Sequence, residues 1–313
     1  MHKAEIEILK NELLVKLENL LIDSKIRFNY MVEIGLTDIL SDRCFLNVKY
    51  SRMLNKKLCV DNPITFNEKI QWLKLYDRKT EYTIMVDKYR VRAYIQEQIG
   101  ERYLIPLIGV WNSPDEIDFL SLPKQFVMKC NHNSGLGMSI CTDKERINIE
   151  KLKKGLKKGL RQNYYLTGRE WPYKDVPRKV IAEQFLQSDE GGLTDYKIHC
   201  FNGEPKFILV CQNRFTESGL TEDFYTPEWE HMEVKRPKIP NAKSPIPKPA
   251  EIEEILELAK ILSKDIPFLR VDFYIVKGKI YFSELTFYPA SGFEGYDPPE
   301  WDETFGDWLI LPK

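Results

Sequence analysis

The stretch "RVDFYIVKGKIYFSEL", residues 270–285, decides the fold. Two apolar runs of strand character flank Lys277-Gly278-Lys279, which reads as a hairpin bend. With a three-residue loop, Val276 faces Ile280, and counting back along both strands sets Asp272 directly opposite Glu284. Directly opposed residues share one sheet face, with Cβ atoms about 5 Å apart. Two carboxylates that close repel unless a proton or a cation stands between them, and apolar neighbours raise the cost of bare charge. Magnesium together with substrate phosphates satisfies such a pair. An acidic pair on a solvent-facing surface is the plainer alternative. A two-residue loop would set Asp272 opposite Ser283 and weaken the argument.

A second stretch, "KQFVMKCNHNSGLGMSICTDKE" at 124–145, runs from an apolar segment through a polar turn with Gly135 and Gly137 into another apolar segment. Glycines let backbone N–H groups approach phosphate closely. "SGLG" alone is equally a hairpin bend, and no Gly-Lys-Ser/Thr follows it, so it is not a Walker loop. Lys129, at the end of the strand that feeds the loop, favours a phosphate clamp. Lys88, in "VDKYRVR" at a helix start, offers a second cation. Either lysine alone is equally a surface residue.

The chain has 313 residues, 43% hydrophobic, enough for a large core in about two lobes. Lys plus Arg number 46 and Asp plus Glu 47, so no overall charge draws it to nucleic acid, and no basic stripe interleaved with aromatics is present. No uncharged apolar run reaches the ~20 residues of a membrane span. The N-terminus mixes charges through its apolar positions, unlike a signal peptide, and a cytoplasmic protein is the expectation. The six cysteines form no CxxC pair and histidine is scarce, which argues against zinc. The cysteines read as reduced, buried small side chains, the last four within strand-like runs.

Residues 1 to about 60 read as helical, with Ile6, Leu9, Leu13, Leu17, Leu20 and Leu21 spaced by three and four. "PITFNEKIQWLKLYD" opens with a capping box, Thr65 and Glu68. "DKYRVRAYIQEQIG" is a helix ending at Gly100, and "YLIPLIGVW" (103–111) a short buried strand. Strands follow at 179–186, 196–201, 206–212, 268–276 and 279–287, with a tight turn at Asn202-Gly203. A proline-rich connector spans 234–250, before the helix "EIEEILELAKILSKDI". "KLKKGLKKGLRQ" (151–162) reads as a basic helix over Leu152, Leu156 and Leu160, weakened by two glycines. Its basic face is either simply solvated or a peripheral contact with an anionic polymer or membrane surface. Hairpins mixed with helices make the fold class α+β.

Taken in order, "TFNEKIQWLKLYD", "DKYRVRAYI", "FVMKCNHNSG", "DYKIHCFNG", "RVDFY" and "ELTFYPASGFE" resemble the ATP-grasp superfamily and, within it, the TupA-like ATP-grasp family. The resemblance covers about residues 62–311. It implies an ATP-grasp fold, two α+β lobes clasping ATP, with a helical N-terminal region. The divisions implied are an N-terminal helical region (1–61), an N-terminal subdomain (62–121), a central lid (122–186) and a C-terminal subdomain with the metal site (187–313). Lys88 and Lys129 would contact phosphates, and the loop Asn133, Ser134, Gly135 and Gly137 would close over them. Glu183 would face the adenine amino group, with Gln184, Phe185 and Leu186 giving backbone bonds and apolar cover. Asp195 and Lys197 share a strand face. Lys197 would reach the phosphates and Arg214 the transferring γ-phosphate. Asp272 and Glu284 would hold Mg2+. Thr286 stands where many ATP-grasp enzymes carry asparagine, and would contact the metal weakly or through water. Ser291 and Gly292, just beyond, would hold the acceptor acid.

The resemblance further implies an ADP-forming ligase that activates a carboxylate as an acyl phosphate for attack by an amine. The acid would be a uronic acid or an amino-acid polymer and the amine an amino acid, in capsule or cell-surface polysaccharide synthesis. Two alternatives stay open. One is a sugar phosphotransferase using the same ATP site. The other is a nucleotide-binding accessory protein of the kind labelled glycosyltransferase, although the sequence has no Asp-x-Asp.

Overall fold

The computed structural model describes residues 23–187, 192–214, 216 and 219–313. The leucine repeat at positions 6–21 lies outside the described residues.

The described strands form two antiparallel sheets. The smaller has the order β1-β4-β2-β3, from Leu107–Trp111 (β1), Phe126–Cys130 (β2), Ser139–Cys141 (β3) and Val180–Gln184 (β4). The larger has the order β7-β6-β5-β8-β9, from Asp195–Phe201 (β5), Glu204–Gln212 (β6), Thr221–Tyr225 (β7), Phe268–Val276 (β8) and Lys279–Thr286 (β9). The segment expected as a strand from 103 begins as a 3-10 turn, Glu101–Tyr103, and becomes a strand only after Pro106, which has no N–H for a ladder.

Period-two alternation separates the two faces of the larger sheet. Ile198 and Cys200 on β5, with Leu269, Val271 and Phe273 on β8, are buried in the same core as Ile255, Ala259 and Leu262 of the helix Ile252–Ser263. Asp195 and Lys197 alternate with these on β5, as Arg270 and Asp272 do on β8, so the charged side chains share the opposite face. The helix Phe66–Tyr76 starts at the anticipated capping box: Thr65 Oγ1 accepts from the Glu68 N–H, and the Glu68 carboxylate from the Thr65 N–H. Phe66 enters an aromatic cluster, with ring centroids 5.6 Å from Phe201, 5.0 Å from Phe268 and 6.3 Å from Phe305. Asp302 clamps this helix by accepting from both the N–H and the side-chain amide of Asn67.

The smaller sheet is covered by the basic helix, Ile149–Arg161. Leu152 and Leu156 are buried with Phe126, Met128, Val180 and Ala182, and Leu160 packs against them. This is the inward leucine stripe that its spacing predicts.

The β8–β9 hairpin reaches the expected pairing by a different route. Its turn has two residues, Lys277 (φ 52°) and Gly278 (φ 73°), the left-handed pair of a tight hairpin, and Val276 pairs with Lys279 rather than Ile280. A bulge between Asp272 and Phe273, on the side of Ser283, absorbs the one-residue slip and restores Asp272 opposite Glu284. Cys130, Cys141, Cys200 and Cys211 are buried, as read from their strand settings; Cys44 and Cys59 are exposed, a correction to the expectation of burial. Both exposed residues lie in or beside the N-terminal helices, whose apolar periodicity does not include them.

Phe66→Ala empties the centre of the aromatic cluster. We expect a loss of about 3–5 kcal/mol of unfolding free energy, measured by denaturant titration.

Candidate active site

The hub of the charged sheet face is Asp272, which is fully buried. Arg270, two residues earlier on the same strand face, donates from Nε to Oδ1 at 2.7 Å and from Nη2 to Oδ2 at 2.6 Å. Lys197, its register partner on β5, donates to Oδ2 at 2.6 Å. Burial alone would raise the Asp272 carboxyl; the charges of Arg270 and Lys197 outweigh it and hold the group at about 2. Burial would lower Lys197, and Asp272 keeps it above the ordinary lysine value. Arg270 Nη2 also donates to Glu284 Oε1 at 3.2 Å. Between the two carboxylates, where the opposed pair suggests magnesium, stands the Arg270 guanidinium, which bridges them. Sequence reading missed Arg270, although its i, i+2 spacing from Asp272 in "RVD" was the available signal.

Two further predicted residues join this face. Asp195 accepts from Arg214 Nη2 at 3.3 Å and lies 3.8 Å from Lys197 Nζ. Thr286 pairs with Arg270 in the β8–β9 register, on the same face as Glu284.

Lys88 connects this face to the glycine loop. Its Nζ lies 3.7 Å from Glu284 Oε2 and donates to the Asn133 carbonyl at 2.8 Å. Burial lowers its pKa. On the small sheet, Lys129 and Glu183 occupy diagonal positions of the β2–β4 ladder and pair at 2.6 Å. Arg92, from the helix Val91–Gln98, lies 3.4 Å from the other Glu183 oxygen and was not anticipated. Gln184 uses its backbone N–H on the Pro106 carbonyl, and Phe185 and Leu186 follow, the latter buried.

The loop itself divides by role. Asn133 is buried, and its amide donates to Leu136 O at 3.0 Å and to Gln162 Oε1 at 3.0 Å, so its side chain anchors the loop. Ser134 and Gly135 are exposed at the tip. Gly135 (φ 79°) and Gly137 (φ 80°) are left-handed, as glycine permits. One of the two glycines that weaken the basic helix, Gly159, receives an explanation here. A Cβ on Gly159 would stand 2.7 Å from Cys130 Sγ, 2.8 Å from Leu136 O and 3.0 Å from Gly137 Cα. The loop is seated on the helix backbone at that point.

Ser291 and Gly292 lie beyond β9, in a turn where Ala290 (φ 47°) and Ser291 (φ 55°) are also left-handed. The helix Phe66–Tyr76 holds this turn from within: Gln71 Nε2 donates to the carbonyls of Ser291 at 3.1 Å and Gly292 at 2.8 Å.

Two sheets, a glycine loop tied by Lys88 to a carboxylate pair, and cations on both sides define an ATP-grasp protein. The chain matches the model of the family described as TupA-like ATPgrasp over residues 68–310 and belongs to that family. No curated protein matches. Solved structures similar to it include the D-alanine–D-alanine ligase of Bacillus anthracis complexed with ATP, 17% identical, with 65% of this chain and 55% of that chain covered and a TM-score of 0.41. The corresponding ligase of Helicobacter pylori is 16% identical, with coverage of 79% and 69% and a TM-score of 0.41. The ADP complex of purK, an N5-carboxyaminoimidazole ribonucleotide synthetase, is 13% identical, with coverage of 70% and 50% and a TM-score of 0.41. This chain thus spans little more than half the length of the first of these.

ATP-grasp ligases are ADP-forming enzymes that use ATP and Mg2+, and the residues present suit both. Two carboxyl groups and a hydroxyl are hard oxygen donors. Among the described residues no third Asp, Glu, His or Cys completes a metal cluster. That count fits Mg2+, which is usually bound through one or two carboxylates with substrate phosphates and water supplying the rest. Glu284, 34% exposed, is the more open of the two.

Gly159→Ala drives a methyl group into the loop's seat. We expect ATP affinity, measured by calorimetry, to fall about tenfold, equivalent to ~1.4 kcal/mol. Gly155→Ala, where a Cβ meets nothing within 4 Å, should leave affinity unchanged and stabilise the helix by up to about 1 kcal/mol.

Proposed function

We propose that this protein is an ATP- and Mg2+-dependent carboxylate–amine ligase. It activates an acid as an acyl phosphate and transfers the acyl group to an amine. The observation that carries the reading is the Arg270–Asp272–Lys197 network on one sheet face, linked by Lys88 to a glycine loop. Lys88, Lys129 and Lys197 bind the phosphates, and the N–H groups of Ser134–Gly137 close over them. Glu183 faces the adenine amino group, and Gln184–Leu186 line the base. Arg214 meets the transferring γ-phosphoryl, with Asp195 orienting it. Asp272 and Glu284, with Thr286 at longer reach, hold Mg2+, which supplies positive charge to the transferring phosphoryl group when bound. Ser291 and Gly292 hold the acceptor acid. Arg270 remains charged throughout and stabilises negative charge beside the reacting phosphate. The divisions at residues 61, 121 and 186 belong to the same proposal.

The acid is a uronic acid or an amino-acid polymer and the amine an amino acid, in bacterial capsule or cell-surface polysaccharide synthesis. Family resemblance supports this substrate class. No helix among the described residues is long and apolar enough to cross a membrane, which is compatible with work in the cytoplasm. Lys151, Lys154 and Lys158 of the basic helix are exposed, while Lys157 pairs with Asp115 at 2.8 Å. That face is available for peripheral contact with an anionic polymer or membrane surface.

Incubation with ATP, Mg2+, a uronic-acid panel and hydroxylamine tests the reaction class. Hydroxamate with ADP is expected. Phosphorylated sugar without hydroxamate would establish a phosphotransferase, and AMP release would exclude both.

Glu284→Gln keeps shape and removes ligand charge. It should fold normally and lose Mg2+-dependent turnover by about 10²-fold or more, the scale of a lost electrostatic contact. Activity that keeps its metal dependence would remove Glu284 from the metal site. Thr286→Val deletes a hydroxyl at constant shape, and the Mg2+ concentration for half-maximal activity should rise several-fold with stability unchanged. An unaltered titration leaves Thr286 a packing residue.

A further inference from the structure

A second charged cluster adjoins the site, and the roles assigned above leave it unused. Lys74 of the helix Phe66–Tyr76 is fully buried. Its ammonium lies 3.0 Å from Gln71 Oε1, 2.8 Å from Gly168 O, 2.7 Å from Ser291 O and 2.9 Å from Ser291 Oγ. With Ser291 Oγ accepting from Lys74, the serine proton is directed elsewhere. The Ser291 hydroxyl donates to Gly168 O at 3.5 Å, and the Glu170 carboxylate adjoins it over Gly168, where a Cβ would clash with Ser291 Oγ and stand 3.2 Å from Glu170 Oε1. Glu170 is 5% exposed. Lys74, Ser291 and Glu170 therefore form one contiguous cluster, with the half-buried serine between the two charged groups. The left-handed backbone at Ala290 and Ser291 is a strained conformation that aims this hydroxyl, held by the two Gln71 bonds.

The cluster lies near the glycine loop. Tyr164 and Tyr173 stack edge to face with centroids 4.8 Å apart. The Tyr164 hydroxyl is held above the usual tyrosine range chiefly by the Glu170 charge, with Glu284 adding to it and Ser134 of the glycine loop acting against it. Glu170 also lies within electrostatic reach of Arg270 and Lys49.

Resting on the ligase reading above, we propose that Glu170 receives the proton of the attacking amine through the Ser291 hydroxyl, with Lys74 as the positioning residue behind it. The substrate ammonium gives one proton to Ser291 Oγ as the serine's own proton passes to Glu170, which frees the nitrogen lone pair. That pair forms the C–N bond to the acyl carbon. The C–O bond to phosphate breaks with its electrons on the phosphate oxygen, which takes the second nitrogen proton and leaves as hydrogen phosphate. Glu170 returns its proton to solvent by the same hydroxyl. Burial holds the Glu170 carboxyl above the ordinary glutamate range against the pull of Lys74, Lys49 and Arg270, as a proton acceptor near neutral pH requires. The other titratable groups facing it are Tyr164, Tyr173 and Tyr288, all raised and neutral there.

Hydroxylamine is unprotonated at neutral pH and needs no base, so it separates this step from acid activation. Wild type and Glu170→Gln are compared with ATP, Mg2+ and glucuronic or galacturonic acid. The nucleophile is either hydroxylamine or an amino acid, with glycine, L-alanine and L-glutamate tried in turn. The variant should retain hydroxamate formation, which also reports that it is folded, while its amide yield relative to hydroxamate falls by about 10²-fold, the usual scale of general-base catalysis. An unchanged amide-to-hydroxamate ratio overturns the proposal, as does equal loss of both products in a variant that still melts cooperatively. Should the glutamine variant not fold, Glu170→Asp withdraws the carboxylate by one methylene, and a ratio equal to wild type is again fatal. A wild-type enzyme that gives no hydroxamate with either acid, nor with poly-γ-glutamate in their place, overturns the ligase reading and this inference with it.

Discussion

The buried carboxylate of Asp272 is the constraint on which the rest of the site depends. An isolated charge at full burial is strongly unfavourable, and only paired donors offset it. Here Arg270 and Lys197 supply three donor contacts at 2.6–2.7 Å. Those donors lie on β8 and β5, so the pairing of these strands and the charge balance of Asp272 are one requirement. A one-residue slip of β5 would turn Lys197 into the apolar core and leave the carboxylate with Arg270 alone. The apolar face under the helix Ile252–Ser263 resists the same slip from the other side.

The same network links to the second sheet through few residues. Glu284 touches Arg270 on its own sheet and Lys88 from the other side, and Lys88 holds the Asn133 carbonyl at the entry to the glycine loop. The loop is in turn seated on Gly159 of the basic helix, whose leucines cover the small sheet. A side chain at Gly159 would therefore be felt first in the loop. Cations on both sheets each face a carboxylate: Lys129 with Glu183, Arg214 with Asp195, Lys197 with Asp272.

Period-two and helical repeats by themselves determined much of this protein. They marked the strands of the larger sheet other than Thr221–Tyr225, the Thr65–Glu68 capping box, the Asn202-Gly203 turn and the leucine stripe of the basic helix, because those features depend on residues a few positions apart. The order of motifs was enough to identify the family. What only the tertiary structure decided depends on contacts distant in sequence. The Asp272–Glu284 pairing was inferred from a three-residue loop, whereas the chain makes a two-residue turn and recovers the pairing through a bulge at Ser283; no local pattern encodes that compensation. Arg270 as the bridging cation needed the β8–β9 register, Arg92 needed the helix Val91–Gln98 set against β4, and Glu170 needed Lys74 and Ser291, 96 residues before it and 121 after it, brought to one point. Gly159 of the basic helix reads as a defect in one dimension, and becomes the seat of the glycine loop only when Leu136 and Gly137 pack onto it. Local periodicity reports which face of an element is buried. Which charges meet across two elements is set by the packing of those faces, and that is where the chemistry of this site resides.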